Sequence, residues 1–216
     1  MTILEMVMQV FSGVGSTLMI FFLTLIFSLP LGLLVAVGRL NCIKPIQLII
    51  KFFISILRGT PLMLQLIVWF YGPYYLFGVT LSAQWRVLAV IIGFSINYAA
   101  YFAEIFRSGI QSIPSGQHEA AFILGYTKSQ TFFKITFPQM VKRVLPSVTN
   151  EVITLVKDTS LAFVLAYTEM FTIAKQVAAA QTTIIPLFVA GVFYYIFNLV
   201  VAAAMDKVED AMNYFE

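Results

Sequence analysis

Long runs without charge are the feature that most constrains how this chain folds. Residues 6–38 and 184–204 contain no charged side chain, and a transmembrane helix needs about 20 mainly apolar residues. Hydrophobic residues make up 60% of the chain and charged residues only 11%, with a mean hydropathy of +0.92, whereas soluble domains carry about a quarter charged residues. We therefore predict an all-α, polytopic membrane protein forming one domain over residues 1–216.

Gaps between the charges predict five crossings. The second is interrupted by Arg58 and Pro61, and the fourth contains Glu151, Lys157 and Asp158. The predicted spans are residues 16–37, 47–71, 87–106, 147–166 and 184–204, with the N-terminal residues along the interface. Residues 161–181 are only moderately apolar, so we predict an external or partly re-entrant helix there and no sixth crossing.

The basic residues predict the orientation, because lysines and arginines near span ends stay on the cytoplasmic side. The connections after the first and third spans hold most of them: Arg39, Lys44, Lys51, Arg107, Lys128, Lys134, Lys142 and Arg143. The opposite connections contribute only Arg86 and Lys175. The N-terminus is predicted outside and the C-terminus inside. Glu5 is the only charge before the first apolar run, which argues against a signal peptide.

Cofactor chemistry has little support in the sequence. Cys42 and His118 are the only residues of their types, so neither a disulfide nor a Cys/His metal cluster is expected. The chain also lacks a GxxxxGK[ST] loop, the motif that cradles a triphosphate. We predict no metal, no cofactor and no enzymatic activity in this chain, and no nucleic-acid partner.

Residues 114–138 form an elaborate polar loop on the predicted cytoplasmic side. Pro114 and Ser115 suit the start of a helix, and good helix formers follow. Gly125 suits the left-handed position just past a helix end. The first half of the loop is therefore predicted to be a short ordered helix.

A second short helix is predicted to follow. Thr127 and Gln130 have the spacing of a capping box, and Pro138 is predicted to end this helix. The loop also carries many apolar side chains for a solvated surface: Phe122, Ile123, Leu124, Phe132 and Phe133. They can dock on another subunit or pack under their own bundle, and periodicity does not distinguish the two.

The loop resembles that of importer-type ATP-binding-cassette permeases. That family's pattern is Glu-Ala-Ala, three residues, Gly, nine residues, Ile, one residue, Leu, Pro. The matching residues here are Glu119, Ala120, Ala121, Gly125, Ile135 and Pro138, and Phe137 replaces the leucine. Three further stretches are similar to the polar amino acid branch: Arg58 to Leu62 with Gln65, Tyr98 to Arg107, and Lys157 to Leu161.

The resemblance implies a division of labour. The loop would be a coupling helix that docks on a cytoplasmic ATPase dimer, which binds ATP and Mg. Two permease chains, identical or paralogous, would form the path, and an external or periplasmic binding protein would deliver the substrate. The expected location is the bacterial inner membrane.

Ionisable groups at membrane depth are costly and tend to face a water-filled path or one another. In the third span, Asn97, Tyr101 and Glu104 share one helix face. We predict that all three contact the substrate: Glu104 suits the ammonium group of an amino acid, and Asn97 suits its carboxylate. Alternatively, Glu104 pairs with Arg107 at the interface.

The fourth span has a second polar stripe, which includes Glu151, Thr154 and Asp158. Asp158 is a further candidate for the ammonium group, and Thr159 and Ser160 are candidates for the carboxylate. We predict a cavity between the two stripes. Glu151 is expected near the cytoplasmic end of its span, and Arg58 is expected to be structural. Either Lys157 or Asp158 is expected to reach another helix.

Two other functions are compatible with a membrane protein of this composition. An ion-coupled secondary transporter could use Glu104 and Asp158 as ion sites, but it leaves the cytoplasmic loop unexplained. A noncatalytic membrane assembly factor would not need the intramembrane carboxylates. Two carboxylates favour a cationic substrate such as arginine, lysine or histidine, and glutamine and cystine remain alternatives.

Overall fold

The structure is a computed structural model that describes residues 2–212. Every regular element in this part of the chain is helical, which confirms the all-α prediction. The helices are α1 Ile3–Phe11, α2 Val14–Asn41, α3 Lys44–Gly59, α4 Leu62–Phe77, α5 Ala83–Gln111, α6 Ser115–Ile123, α7 Lys128–Thr131, α8 Phe137–Asp158, α9 Met170–Gln181 and α10 Ile185–Met212. Met1 and residues 213–216, which include the C-terminus predicted inside, lie outside the described residues.

Helix α5 lies at the centre of the bundle and packs against α2, α3, α4 and α8. Its contact with α2 is close because Gly32 has no side chain. A Cβ atom at Gly32 would lie 2.8 Å from the Cβ of Phe102 and 3.1 Å from the carbonyl oxygen of Ala99. Phe94, Tyr98 and Phe102 of α5 are almost completely buried. Helix α5 therefore provides a fixed frame for the polar side chains it carries.

Three to five membrane spans are compatible with the lengths and compositions of the helices. Residues 3–41, Ala83–Gln111 and Ile185–Met212 each qualify alone. They contain the first and third predicted spans and all but the first residue of the fifth. Two bent pairs of helices qualify only if each pair counts as one span. One pair is α3 with α4, and the other is the helical stretch Lys128–Leu165 with α9. The predicted orientation of the bundle stays a prediction.

The second predicted span is not one straight helix. The chain bends by 110° between α3 and α4. Thr60, at the break, has an extended backbone (φ −123°, ψ 147°) and precedes Pro61, and proline disfavours the helical conformation in the residue before it. At about 1.5 Å per residue, the 16 residues of α4 span only about 24 Å.

The prediction that Pro138 ends a helix is wrong. The chain remains helical from α7 through a π-helical turn, Phe132–Thr136, into α8, and Pro138 lies in the first turn of α8. Proline has no N–H to donate to the preceding turn, and a π-helical turn shifts the hydrogen-bond pattern at this point. The Phe137 N–H accordingly donates to the Phe132 carbonyl.

Helix α8 continues as a 3₁₀ helix, Thr159–Leu165, and the chain then bends by 57° between this helix and α9, with Ala166 at φ +50°. The fully buried Glu169 caps α9 by accepting hydrogen bonds from the N–H groups of Phe171 and Thr172. It also accepts one from the Tyr194 hydroxyl of α10, at 3.0 Å. The helix predicted within residues 161–181 is present, and this carboxylate attaches it to the bundle.

Gly13 and Gly15 differ in a way that predicts their tolerance of alanine. A Cβ at Gly13 would lie 2.6 Å from the backbone N and Cα of Met170, whereas Gly15 has nothing within 4 Å. We expect Gly13→Ala to lower the free energy of unfolding by about 1–3 kcal/mol. Gly15→Ala should leave it unchanged or slightly raised. Thermal unfolding of the two purified variants in detergent tests this, and equal midpoints would contradict it.

Candidate functional site

Glu104 of α5 is held by two arginines near one end of the bundle. Arg39, close to the end of α2, forms an ion pair with its Oε2. Arg107 forms an ion pair with Oε1, and its Nε lies 3.1 Å from the same oxygen. The pairing with Arg107 was expected as an alternative, and the pairing with Arg39 was not predicted. Both carboxylate oxygens therefore have cationic partners.

An open cleft of about 420 Å³ lies beside this ion-pair cluster, and we call it the inner cleft. Its lining includes Tyr101 and Glu104 of α5, Arg39 of α2, and Arg58 of α3. The Arg58 guanidinium lies 5.2 Å from the centre of the Tyr101 ring, within the range of a cation–π contact. Arg58, predicted to be structural, thus lies in the same cleft as two of the predicted substrate residues.

A second cavity of about 410 Å³ lies between α5 and α8 and shares Arg58 and Glu104 with the inner cleft. Ser108 of α5 and Arg143 and Ser147 of α8 also line it. Glu104 and Arg58 therefore border both cavities, and the second cavity reaches α8 at Arg143 and Ser147.

Asn97 is buried at the junction between α3 and α4. Its Nδ2 donates to the Leu57 carbonyl at 3.2 Å and to the Gln65 Oε1 at 3.0 Å. Gln65 in turn donates to the Leu57 carbonyl at 2.8 Å and to the Thr60 hydroxyl at 2.8 Å. These bonds satisfy the Leu57 carbonyl next to the 110° bend. The side chain of Asn97 therefore stabilises the junction between α3 and α4.

Asp158 accepts a hydrogen bond of 2.7 Å from the Tyr98 hydroxyl and so joins α8 to α5. This confirms that one member of the Lys157–Asp158 pair reaches another helix. The hydroxyl of the buried Thr159 donates to the Val156 carbonyl at 2.8 Å. The Ser160 hydroxyl donates to the Lys157 carbonyl at 2.7 Å. Both hydroxyls are therefore used within their own helix.

The predicted site residues thus form three groups. Asn97 faces the break between α3 and α4, Tyr101 and Glu104 face the inner cleft, and Asp158 meets α5 through Tyr98. Tyr98 links two of the groups, since its ring centre lies 6.3 Å from that of Tyr101. Contact with substrate remains a prediction for each of them.

The loop over residues 114–138 is ordered as predicted. Helix α6 begins after Pro114 and ends at Ile123, and Gly125 follows the C-cap residue with φ +77°. The Gly125 N–H donates to the Phe122 carbonyl and the Tyr126 N–H to the Ala121 carbonyl, which is the hydrogen-bond pattern of a Schellman motif. These features confirm the predicted helix start and the left-handed glycine.

The predicted capping box is also present. The Thr127 hydroxyl accepts from the Gln130 N–H at 3.3 Å, and the Gln130 side chain accepts from the Thr127 N–H at 2.8 Å. Gln139 of α8 donates to the side chain of Gln117 in α6 and so ties the first half of the loop to the bundle. The loop has a defined shape before it meets any partner.

The apolar side chains of the loop are mostly exposed. Phe122, Ile123 and Leu124 are 81%, 82% and 74% exposed, while Ala121 beside them is buried at 1%. Phe133 is 64% exposed. We call the surface formed by these four apolar side chains, Phe122, Ile123, Leu124 and Phe133, the elbow surface. Among the pattern residues, Glu119 and Ala120 are exposed as well.

Comparisons with known proteins show the family to which this chain belongs. Residues 28–214 match the family described as the binding-protein-dependent transport system inner membrane component. The chain belongs to this family, whose members are the permease components of ATP-binding-cassette transporters and are not themselves the ATPase. The resemblance noted in the sequence is confirmed.

Several relatives are amino acid permeases. The chain is 33% identical over 201 residues to the arginine transport system permease protein ArtQ of Bacillus subtilis, covering 93% of this chain and 90% of the relative. It is 34% identical to the L-cystine transport system permease protein TcyB of the same organism, covering 85% and 77%. A crystal structure of an amino acid ABC transporter with histidines matches with a TM-score of 0.85 and 29% identity, over 98% of this chain and 99% of that one.

Proposed function

We propose that this chain is the membrane-spanning subunit of an ATP-driven importer that carries a polar amino acid across the bacterial inner membrane. An external binding protein delivers the amino acid, and two permease chains enclose its path. A cytoplasmic ATPase dimer drives the cycle through the loop over residues 119–138. Family membership and the exposed elbow surface are the observations that support this proposal.

The elbow surface favours docking on another subunit over packing under the chain's own bundle. Ala121 of α6 is buried, whereas Phe122 and Ile123 beside it have more than four-fifths of their surface exposed. Exposed apolar clusters of this kind mark interaction sites. The Schellman motif at Gly125 and the capping box fix the shape of the loop, so little conformational entropy is lost on docking.

The two carboxylates of the proposed path differ in how their charge is compensated. Glu104 is paired with two arginines. Among the described residues, Asp158 has no arginine or lysine within ion-pair distance and receives only the Tyr98 hydroxyl. Asp158 is therefore the better candidate to receive the substrate ammonium group. Glu104, with its charge neutralised, shapes the inner cleft.

This difference bears on the substrate class. Two free carboxylates would have favoured a cationic amino acid, but the arginines leave only one of the two available. Arg58, in the cleft that Glu104 and Tyr101 line, offers a guanidinium that can bind a substrate carboxylate. We propose a zwitterionic polar amino acid as the substrate, with a cationic side chain permitted and not required.

Uptake by the reconstituted complex tests the proposal. We expect proteoliposomes containing this chain, its ATPase and its binding protein to accumulate a radiolabelled polar amino acid only with ATP inside. Arginine, histidine, glutamine and cystine would be compared. Ionophores that collapse proton and sodium gradients should leave the uptake intact. Uptake without ATP that collapses with an ion gradient would instead establish the secondary-transporter alternative.

A further inference from the structure

Helix α3 presents three distinct faces. At about 100° per residue, the buried Ile54 and Leu57 lie on the face that packs against the bundle. A second face is apolar but exposed, and its members are Ile49, Phe52, Phe53 and Ile56. The third face carries the cations of this helix: Lys44, Lys51 and Arg58. A helix with adjoining apolar and basic faces suits the plane of a membrane interface.

A cleft of about 310 Å³ lies where α2 turns into α3, and we call it the basic cleft. Its lining is Arg39, Lys44, Gln47, Leu48 and Lys51. The Gln47 side chain donates to the Cys42 carbonyl at 2.8 Å and to the Leu40 carbonyl at 3.4 Å. These bonds hold the turn and occupy carbonyls that would otherwise oppose an anion.

The cations of the basic cleft are not balanced by carboxylates. Arg39 pairs with Glu104, but Glu104 is shared with Arg107. Neither Lys44 nor Lys51 has a carboxylate of the described residues within ion-pair distance. The two lysines are seven positions apart and therefore lie on the same side of α3. The cleft carries a net positive charge that an anion can neutralise.

We propose that the basic cleft binds the headgroup of an anionic phospholipid. Its phosphate would lie between Lys44 and Lys51, and its acyl chains would cover exposed apolar side chains such as Phe52 and Phe53. Basic clefts between helices at a membrane surface recognise anionic headgroups. The adjoining apolar face favours a lipid over a soluble anion. A second copy of the chain is a poorer occupant, because it would bring its own lysines to the same surface.

Native mass spectrometry of the purified full chain tests this proposal. The chain would be extracted into detergent and mixed with equal amounts of phosphatidylglycerol and phosphatidylcholine with the same acyl chains. We expect several-fold more bound phosphatidylglycerol than phosphatidylcholine. Lys44→Gln with Lys51→Gln should abolish this preference, while Lys44→Arg with Lys51→Arg should keep it.

Lys207→Gln is the matched control. Lys207 is an exposed lysine near the end of α10, beside Asp206, and its removal should leave the lipid preference intact. Equal retention of the two lipids by the unaltered chain, or an unaltered preference in the double glutamine variant, would overturn the proposal. So would complete displacement of the lipid by millimolar inorganic phosphate, which would indicate a soluble-anion site.

A cross-linking experiment excludes the second copy. Phe53→Cys in a Cys42→Ser background should give no disulfide-linked dimer in membranes. Efficient formation of that dimer would show that this face of α3 is an interface between chains and would also overturn the proposal. None of these measurements requires the ATPase, so their failure would not bear on the proposed transport function.

Discussion

A transporter with Gly125→Pro is expected to hydrolyse ATP without accumulating its amino acid. Gly125 has φ +77°, whereas proline fixes φ near −65°, so the Schellman motif at the end of α6 cannot form. The elbow surface would then lose its fixed position relative to α8. We expect ATP-driven uptake in proteoliposomes to fall at least tenfold, while basal hydrolysis by the ATPase persists.

Gly125→Asn provides the matched control, because asparagine tolerates the left-handed conformation and nothing lies within 4 Å of where its Cβ would be. We expect it to retain most of the uptake. Correct membrane insertion of both variants would be checked by their yield and elution profile. Normal ATP-driven uptake by Gly125→Pro would remove the coupling role from this loop.

Asp158→Asn should impair transport strongly while the complex remains assembled. An amide keeps the size of the carboxylate and can still accept from the Tyr98 hydroxyl, but it cannot attract an ammonium group. A hydrogen bond to a charged group contributes about 1.5–3 kcal/mol, and about 1.4 kcal/mol corresponds to a factor of ten. We therefore expect uptake to fall roughly tenfold or more, measured as initial rates over a range of substrate concentrations.

Tyr98→Phe separates substrate contact from positioning. It removes the hydroxyl that donates to Asp158 at 2.7 Å and leaves the carboxylate charge in place. If Asp158 receives the substrate itself, Tyr98→Phe should reduce uptake less than Asp158→Asn does. Uptake kinetics of Asp158→Asn that match those of the unaltered transporter would exclude Asp158 from the path.

Local signals in the sequence predicted local structure well. The left-handed glycine at 125 and the capping box at Thr127 depend only on neighbouring residues, and both are present. The break near Pro61 was visible as an interruption, but its angle of 110° depends on how α3 packs against α2 and α5. The helix end predicted at Pro138 is absent, because a π-helical turn lets the helix continue past the proline.

The polar site was less predictable, because it depends on contacts between distant segments. In the sequence Arg39 indicates only the orientation of the chain, yet in the structure it pairs with Glu104, 65 residues away. An intramembrane carboxylate requires a cationic partner. Many basic residues lie near the span ends, so the sequence does not show which of them pairs with Glu104. Tyr98 likewise stands out in the sequence only as part of the stretch from Tyr98 to Arg107, and its bond to Asp158 is not predictable from it.

The π-helical turn has a mechanical consequence. It joins α7 to α8 without a loop, and the helical path then runs on to Asp158. At about 1.5 Å per residue, this helical path is about 45 Å long, with the capping box at one end and the carboxylate that meets Tyr98 at the other. The π-helical turn and Pro146 are features at which helices bend, so we expect a change in the angle between the two ends of the path to be concentrated at these two points.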